Sequence, residues 1–437
     1  MTTQIFCAST LYGVATLAAA IDADCFRPAD RRILLVSNNA GNPEVTSAVD
    51  EMPGFAALRD RFDDVLSWNE TIAPFHPGGW SPRPDDTPLW ERHLRLLWGL
   101  GDDDVELAVE SIQVNPALAV SQIFSLAHID VYADGLMSYG PTRFKIDPLV
   151  GTRVRRLLHL DLVPGLKPLL LTEFGVAPET VPTDAFLKVL GAIGGTAVDA
   201  IELPDDSALL LGQYLSALDI LTPEEEEDLH VLMLRGAVAQ GHRQVIFKPH
   251  PTAPARYGRA LEEEAERLDV RLTVLDVPVL AEVLYERIRP ALVVGCFSTA
   301  LFTAKTFYGL STARVGTRIL LERLSPYQNS NRVPVTLADA LLPDLESGRT
   351  AEIGELKGLV ETVGFMMQPQ IYPGLHRTAT AYLTHRPADT GHYFKRRRLT
   401  ALDLPGGVPT RLAFIPRNAT VRRVARRVRT IKRTTLG

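Results

Sequence analysis

Residues 3–39, TQIFCASTLYGVATLAAAIDADCFRPADRRILLVSNN, join two apolar runs through an alanine-rich segment. The runs at 3–8 and 31–39 predict β-strands, and the pattern from Val14 to about Ile21 predicts a helix between them. A strand, a helix and a second strand in this order are typical of a parallel βαβ unit. Polar residues follow both strands, at the edge where parallel sheets bind their ligands. This opening therefore predicts an α/β fold.

The alternation of strand and helix patterns continues along the chain. Strand-like runs occur at 106–111, 127–133, 207–215, 243–251, 271–276 and 290–295, and helical patterns at 87–100, 223–238 and 281–288. The pattern restarts near residue 206, after a stretch at 173–205 whose proline and glycine residues suit a connection, with a short helix around 184–190. We therefore expect two Rossmann-like domains, at 1–180 and 181–394.

Length and composition agree with a soluble protein of two domains. The 437 residues are 46% hydrophobic and 22% charged, ordinary values for a globular chain. No run approaches the roughly 20 apolar residues of a membrane span, and the first residues lack the basic start of a secretory signal, so we expect a cytoplasmic protein. Cys7, Cys25 and Cys296 form no CxxC pair, which favours buried free thiols over a metal site or disulfide framework.

The last 43 residues differ from the rest in charge. Residues 395–437 hold 13 Lys or Arg against one acid, a net charge of +12, so the preceding residues carry −18. If 417–433 is helical, four apolar side chains share one face and arginines cover the remainder. They are Val421, Val424, Val428 and Ile431. This pattern is typical of a helix lying on an anionic membrane surface, although a solvated tail or one docked on the acidic body fits as well.

Three segments place chemically active side chains where an apolar run ends. The first is VYADGLMSYGP, residues 131–141, in which Asp134 follows a strand and precedes Gly135. A carboxylate in this position can act as a general base, and glycine lets the backbone turn or approach a ligand. A plain Asp-Gly turn is the structural alternative.

The second segment is VIFKPHPTAP, residues 245–254, in which Pro249 and Pro251 flank His250. The prolines restrict the backbone on both sides of the imidazole. His250 and the nearby Lys248 can both donate hydrogen bonds to a phosphate. A hydrogen-bonded histidine with only a structural role is the alternative.

The third segment is VVGCFSTALFTAK, residues 293–305, in which a strand ends at Gly295 and a helix pattern begins at Ser298 and Thr299. Helix N-termini collect free N–H groups and bind phosphates, and hydroxyl residues there also act as caps. Other motifs are absent: the sequence has no GxGxxG after the first strand, no P-loop, no GxSxG and no HExxH. It therefore gives no support to a nicotinamide enzyme, a P-loop ATPase, a serine hydrolase or a zinc protease.

The order of the three segments resembles the bacterial alpha-2,8-polysialyltransferase-like glycosyltransferases, which are related to bacterial sialyltransferases of the GT-B fold. The similarity extends from IFCASTLYG at residue 5 to about residue 390. It implies a GT-B architecture with two Rossmann-like domains facing a central cleft and a basic C-terminal tail. The acceptor would bind mainly to the N-terminal domain and the CMP-sugar donor to the C-terminal domain.

The resemblance also implies a role for each segment. Asp134 matches the general base, His250 and Pro251 match the motif that binds the CMP phosphate, and Ser298 and Thr299 match the serine motif that bonds the same phosphate. Ala133 stands where the family has a first acidic residue, so a helper carboxylate is missing from this motif. The implied reaction is inverting, metal-independent transfer from a CMP-sugar, most simply CMP-sialic acid or a related nonulosonate, to a cell-envelope glycan.

Further residues are candidates only because they follow strand ends. Ser9, Thr10, Asn38 and Asn39 are expected to line the cleft, and Gln213 to bind the donor nucleotide. The partners expected are the donor, a glycan or glycolipid acceptor and an anionic membrane surface. Nucleic acid is not expected, because the basic segment lacks interleaved aromatic residues and a binding fold.

Two other functions fit the same residues. A CDP-polyol phosphotransferase of the teichoic-acid type also sets a His-Pro and serines around a CMP-containing donor, although the Asp-Gly context of Asp134 favours the sialyltransferase. A non-catalytic nucleotide-sugar-binding protein fits the loss of the first acid at Ala133, whereas the retained Asp134 argues against it.

Overall fold

The computed structural model describes residues 1–197, 206–250, 253, 256–275 and 277–408. These residues form two α/β domains, each built on its own sheet. The predicted tail helix at 417–433 lies outside the described residues. Among the described residues, no helix combines the length and the apolar character that a membrane span requires.

The N-terminal domain is built on a seven-stranded parallel sheet. Its strands are β1 (Thr2–Ala8), β2 (Arg31–Val36), β3 (Asp64–Ser67), β4 (Asp104–Val109), β5 (His128–Ala133), β6 (Val154–His159) and β7 (Ala177–Thr180). Its helices are α1 (Leu11–Asp22), α2 (Trp68–Thr71), α3 (Thr87–Leu97), α4 (Ala117–Ile123), α5 (Pro148–Gly151) and α6 (Thr183–Ala197). The strand order β3-β2-β1-β4-β5-β6-β7 reverses between β1 and β4, as in a doubly wound Rossmann sheet.

The C-terminal domain is built on a five-stranded parallel sheet. Its strands are β8 (Ala208–Leu211), β9 (Gln244–Lys248), β10 (Arg271–Val274), β11 (Leu292–Gly295) and β12 (Thr312–Arg314). Its helices are α7 (Pro223–Ala239), α8 (Arg256–Arg267), α9 (Ala281–Ile288), α10 (Thr299–Thr306), α11 (Thr317–Arg323), α12 (Arg332–Leu341), α13 (Leu356–Met367), α14 (His376–His385) and α15 (Arg396–Ala401). The order β10-β9-β8-β11-β12 reverses between β8 and β11.

The central strands are apolar because helices cover both faces of each sheet. All four residues of β8 and all four of β11 are buried, which explains runs such as ALLL without polar alternation. The predicted βαβ opening is confirmed as β1, α1 and β2. The predicted N-cap of α7 is also confirmed, because Thr222 Oγ1 accepts from Glu225 N at 3.2 Å while the Glu225 carboxylate accepts from Thr222 N at 2.9 Å.

The stretch at 173–205 is more regular than its composition indicated. It contains the edge strand β7 and the helix α6, which runs to Ala197 instead of ending near residue 190. Phe186, Val189, Leu190 and Ile193 recur at helical spacing and are all at most 1% exposed. Burial of this apolar stripe against α1 and α9 outweighs the low helix propensity of the glycines.

The sequence patterns did not reveal β6, because its segment VRRLLH contains two arginines. Both arginines are neutralised by the neighbouring strand β5: Arg155 Nε lies 3.2 Å and Arg156 Nη2 2.9 Å from the carboxylate of Asp130. Ion pairing therefore permits a basic segment to occupy a sheet position. The cysteines also differ slightly from expectation, since Cys7 and Cys296 are buried but Cys25 is only half-buried.

The chain returns to the N-terminal domain after α13. The hydroxyl of Tyr372 accepts from Thr142 N at 3.0 Å and lies 2.7 Å from the carboxylate of Glu173, to which it can donate. Both partners belong to the N-terminal domain. This return crossing joins the two domains along the side of the cleft.

Candidate active site

The two sheets turn their carboxyl edges toward a common cleft of about 790 Å³. In each sheet the cleft begins at the point where the strand order reverses, which is where doubly wound sheets bind ligands. A volume of this size suits a nucleotide-linked ligand of several hundred daltons. The predicted site residues that line the cleft are Thr10, Asp134, Gly135, Gln213, Lys248, His250, Ser298 and Thr299.

Asp134 follows the last residue of β5 and is half-buried in the N-terminal wall. Thr10, which caps α1, directs its hydroxyl toward Asp134 Oδ2 at 3.5 Å. Burial raises the pKa of Asp134 above its usual value, partly offset by the Thr10 hydroxyl. A carboxylate with a raised pKa is a stronger base than one in water, which suits proton removal from a hydroxyl.

Glu110 supplies a second carboxylate beside Asp134. It follows the last residue of β4, and the chain turns immediately after it at Ser111, which has a left-handed φ of 44°. Burial, followed by the charge of Asp134, raises the pKa of Glu110 to about 7, while hydrogen bonds from Ser9 oppose that rise. Although position 133 is Ala, a residue that follows another strand, β4, thus brings a second carboxylate into the cleft.

Gly13, a buried residue of α1, packs closely against the groups around the two carboxylates. A β-carbon at Gly13 would lie 3.1 Å from Thr10 Oγ1, 3.1 Å from the Tyr132 hydroxyl and 3.5 Å from Glu110 Oε2. Any larger residue would displace the groups that surround the two carboxylates. Gly13, the last residue of the LYG segment at 11–13, thus permits close packing around the site.

His250 and Lys248 lie on the C-terminal wall, at the end of β9. His250 is exposed in the cleft, whereas Lys248 is buried. Restricted hydration in the cleft, followed by the Lys248 ammonium, lowers the pKa of His250. The neutral imidazole can donate one hydrogen bond to an anionic ligand, and bound negative charge would favour its protonation. Pro251 lies outside the described residues.

Ser298 and Thr299 begin α10 at the end of β11. The Ser298 hydroxyl caps the helix by accepting from Ala300 N at 3.3 Å. Gln213, beyond the adjacent strand β8, accepts from Phe297 N at 2.9 Å through its Oε1 atom. Gln213 therefore positions the loop that carries the hydroxyls at the start of α10.

The Asp-Gly and Ser-Thr segments come together across the cleft, because Gly135 faces Thr299. Other candidates lie elsewhere. Ser9 and Asn39 line an adjoining cavity of about 100 Å³ instead of the main cleft. The Asn38 amide does not line either space and donates to the carbonyls of Pro43 and Thr46 at 3.1 and 2.8 Å, so its expected place in the cleft is wrong.

Sequence reasoning missed several cleft residues besides Glu110. Tyr12 on α1, Glu282 on α9 and Arg143 also line the cleft. Glu282 is buried and accepts from Thr303 Oγ1 at 2.8 Å, and burial raises its pKa. Glu110 carried a usable signal, since it directly follows an apolar strand. The other residues lie within helices or loops and had no pattern that marked them.

Comparison with known proteins supports the resemblance seen in the three segments. The family model described as alpha-2,8-polysialyltransferase matches residues 4–317. No curated protein matches the chain.

Solved structures with a similar fold are distant in sequence. A sialyltransferase from Photobacterium damsela has 14% identity and a TM-score of 0.40, over 77% of this chain and 78% of that chain. MurG from Acinetobacter baumannii has 11% identity and a TM-score of 0.41, over 93% and 99%. A UDP-GlcNAc 2-epimerase from Methanocaldococcus jannaschii has 13% identity and a TM-score of 0.42, over 74% and 91%.

The family model covers well over half of the chain, including all three segments. Two Rossmann-like domains on either side of a cleft give the chain the GT-B architecture. The chain thus belongs to the alpha-2,8-polysialyltransferase family and is a glycosyltransferase of the sialyltransferase type.

Proposed function

We propose that the protein transfers sialic acid or a related nonulosonate from a CMP-linked donor to a cell-envelope glycan, with inversion at the anomeric carbon. The observation that carries this proposal is the facing of Gly135 and Thr299. It sets the carboxylate of Asp134 opposite the hydroxyls and imidazole of the C-terminal wall. A base and a leaving-group site on opposite sides of a sugar favour a single displacement, which inverts the reacting centre.

Asp134 is proposed as the general base. As the acceptor hydroxyl attacks the anomeric carbon, its proton passes to a carboxylate oxygen of Asp134. The raised pKa of Asp134 increases the driving force for this transfer. Glu110, with a pKa raised to about 7, carries a proton for part of the time at neutral pH. Protonated Glu110 is neutral, so no second full negative charge lies beside Asp134. The pair of carboxyl groups then repels an anionic substrate less strongly.

His250, Lys248, Ser298 and Thr299 are proposed to bind the CMP phosphate. Negative charge grows on this phosphate as the bond to the sugar breaks, so donors aimed at it lower the barrier. Two basic side chains and two hydroxyls supply these donors. Because this set can balance the charge of a phosphodiester, we propose that the reaction requires no metal ion.

The two walls are proposed to bind different partners. The nucleotide lies against the C-terminal wall with His250, and the glycan acceptor against the N-terminal wall with Asp134. The basic segment at 417–433 is proposed to hold the enzyme on the anionic inner face of a membrane, near lipid-linked or envelope glycans.

Release of CMP by the purified protein tests the donor. CMP-sialic acid and CDP-glycerol are offered in parallel, each with and without a mixture of glycan acceptors. We expect slow CMP release from CMP-sialic acid, reduced about 100- to 1000-fold by His250→Ala. Asp134→Asn should lose transfer by about 100- to 10,000-fold while CMP binding, measured by calorimetry, stays within about twofold.

The other outcomes separate the alternatives. CMP release from CDP-glycerol alone would reassign the protein to polyol-phosphate transfer. Equal CMP release by the wild type and the His250→Ala variant would remove His250 from the leaving-group site. The family membership favours the sialyl donor over the polyol.

A further inference from the structure

The side chain of Arg143 lines the N-terminal wall of the cleft. Within the described part of the chain it makes no hydrogen bond and no ion pair. Its nearest ring contact is Phe144, whose centroid lies 5.9 Å from Arg143 Cζ. Burial lowers the pKa of Arg143, and no carboxylate opposes that effect. The cleft therefore contains a partly desolvated positive charge that the fold itself does not use.

Two other arginines, the half-buried Arg153 and the fully buried Arg332, are engaged by the protein. Arg153 donates to the carbonyls of Phe124 and Ala127 at 2.9 and 2.8 Å. Arg332 donates to the carbonyls of Tyr327 and Leu324 at 2.7 and 2.8 Å. These two arginines find carbonyl acceptors in place of water. Arg143 has no acceptor among the described residues, which points to an acceptor supplied from outside the chain.

The backbone that carries Arg143 is fixed from two sides. The side-chain oxygen of Gln113 accepts from Arg143 N, and the side-chain amide of Gln368 donates to Arg143 O. The preceding residue, Thr142, is bonded to the hydroxyl of Tyr372. These bonds fix the backbone position from which the Arg143 side chain starts, so ligand binding requires little ordering of the backbone there.

We propose that Arg143 recognises a carboxylate or phosphate group of the acceptor glycan and selects anionic acceptors over neutral ones. This inference rests on the proposed function and adds a residue that determines acceptor choice. Arg143 belongs to the same wall as Asp134, whereas the residues proposed for the donor phosphate belong to the opposite wall. Its planar fork of N–H donors matches the two oxygens of a carboxylate or phosphate.

Direct binding tests this role without depending on turnover. Calorimetry on the full chain compares three ligands: an oligosaccharide ending in sialic acid, the same oligosaccharide without sialic acid, and the neutral form carrying a phosphate. We expect the wild type to bind at least one anionic ligand roughly 10- to 100-fold more tightly than the neutral one, as for a hydrogen bond to a charged group. Arg143→Ala should abolish this preference and Arg143→Lys should retain part of it. The exposed Arg92 of α3 serves as the matched control, and Arg92→Ala should behave as the wild type.

The results separate the sources of the anion. A preference for the sialylated ligand alone identifies a sugar carboxylate, and one for the phosphorylated ligand alone identifies a phosphoglycan. Equal wild-type binding of all three ligands would overturn the proposal, as would a preference that survives in Arg143→Ala. If Arg143→Ala raised the KM for the CMP-sugar without changing acceptor binding, Arg143 would belong to the donor site. That result would also overturn the proposal. Failure of the protein to release CMP from any donor would contradict the proposed function but not this role of Arg143.

Discussion

The hydroxyl oxygen of Thr299 lies 3.0 Å from the point where a β-carbon on Gly135 would stand. Gly135 directly follows the proposed base Asp134 in the N-terminal domain, and Thr299 opens α10 in the C-terminal domain. Gly135 is extended, with φ −144° and ψ 180°, so its backbone would accept other residues. The absence of a side chain at Gly135 therefore matters because of what the residue faces: a β-carbon there would crowd the Thr299 hydroxyl.

Replacing Gly135 tests the close approach. Gly135→Ala puts a methyl group against Thr299, so the two walls must separate by a few tenths of an ångström. We expect transfer to fall by about 10- to 100-fold, since small misplacements of reacting groups are costly, with little change in the midpoint of thermal unfolding. Gly374→Ala, where no atom lies within 4 Å of the added carbon, is the control. Unchanged activity in Gly135→Ala would mean that the walls separate without consequence for catalysis.

The two hydroxyls at the start of α10 should respond differently to removal. Ser298 caps the helix as well as lining the cleft, so Ser298→Ala should lower the free energy of unfolding by about 1 kcal/mol and also slow transfer. Thr299 is not the cap, so Thr299→Ala should slow transfer without this loss of stability. Chemical unfolding and CMP release are measured on the same preparations. Similar losses of stability in Ser298→Ala and Thr299→Ala would show that helix capping is not specific to Ser298.

Glu110 predicts a particular dependence of stability on pH. Its pKa is raised in the folded protein to about 7, so folding favours the protonated form. The contribution of Glu110 to the free energy of unfolding is fully present below its pKa in the unfolded chain, near 4.5. This contribution is lost as the pH rises through 7. Glu110→Gln remains neutral and should escape this loss. We expect the variant to be more stable than the wild type by up to about 3 kcal/mol at pH 8 and to be nearly equal at pH 4.5.

Thermal and chemical unfolding between pH 4.5 and 8 measure this difference. Glu44→Gln is the control, because Glu44 is exposed and does not line the cleft. The stability of this variant should follow that of the wild type. Parallel curves for Glu110→Gln and the wild type would contradict the raised pKa of Glu110.

The basic segment at 417–433 predicts binding to anionic vesicles. Each basic residue near such a surface contributes about 1 kcal/mol, so reversal of Arg422, Arg423, Arg426 and Arg427 to Glu should weaken binding by more than about 100-fold. Vesicles with and without phosphatidylserine are compared by sedimentation. CMP release from a water-soluble substrate should be unchanged. If the wild type and the variant with four Glu bound anionic vesicles equally, these four arginines would not form a membrane contact.

Local sequence patterns were enough to predict much of the fold. Buried parallel strands leave continuous apolar runs, and helices leave spacings of three and four, so β1, α1, β2, α7 and α9 were visible directly. The patterns misled where ion pairs or a partner helix decided the outcome. The arginines of β6 depend on Asp130, and the glycines of α6 depend on packing against α1.

Apolar runs and the polar residues that end them are local features, so the residues at strand ends could be read from the amino-acid sequence alone. It thereby identified Asp134, His250, Ser298 and Thr299 as candidates. Which of these residues meet depends on the packing of the folded chain, because parallel crossovers bring distant strand ends to one sheet edge. That packing adds Glu110 beside Asp134, sets Thr299 against Gly135 and leaves the Arg143 guanidinium without a hydrogen bond among the described residues. Those relations depend on distances between separate elements, which no local pattern encodes.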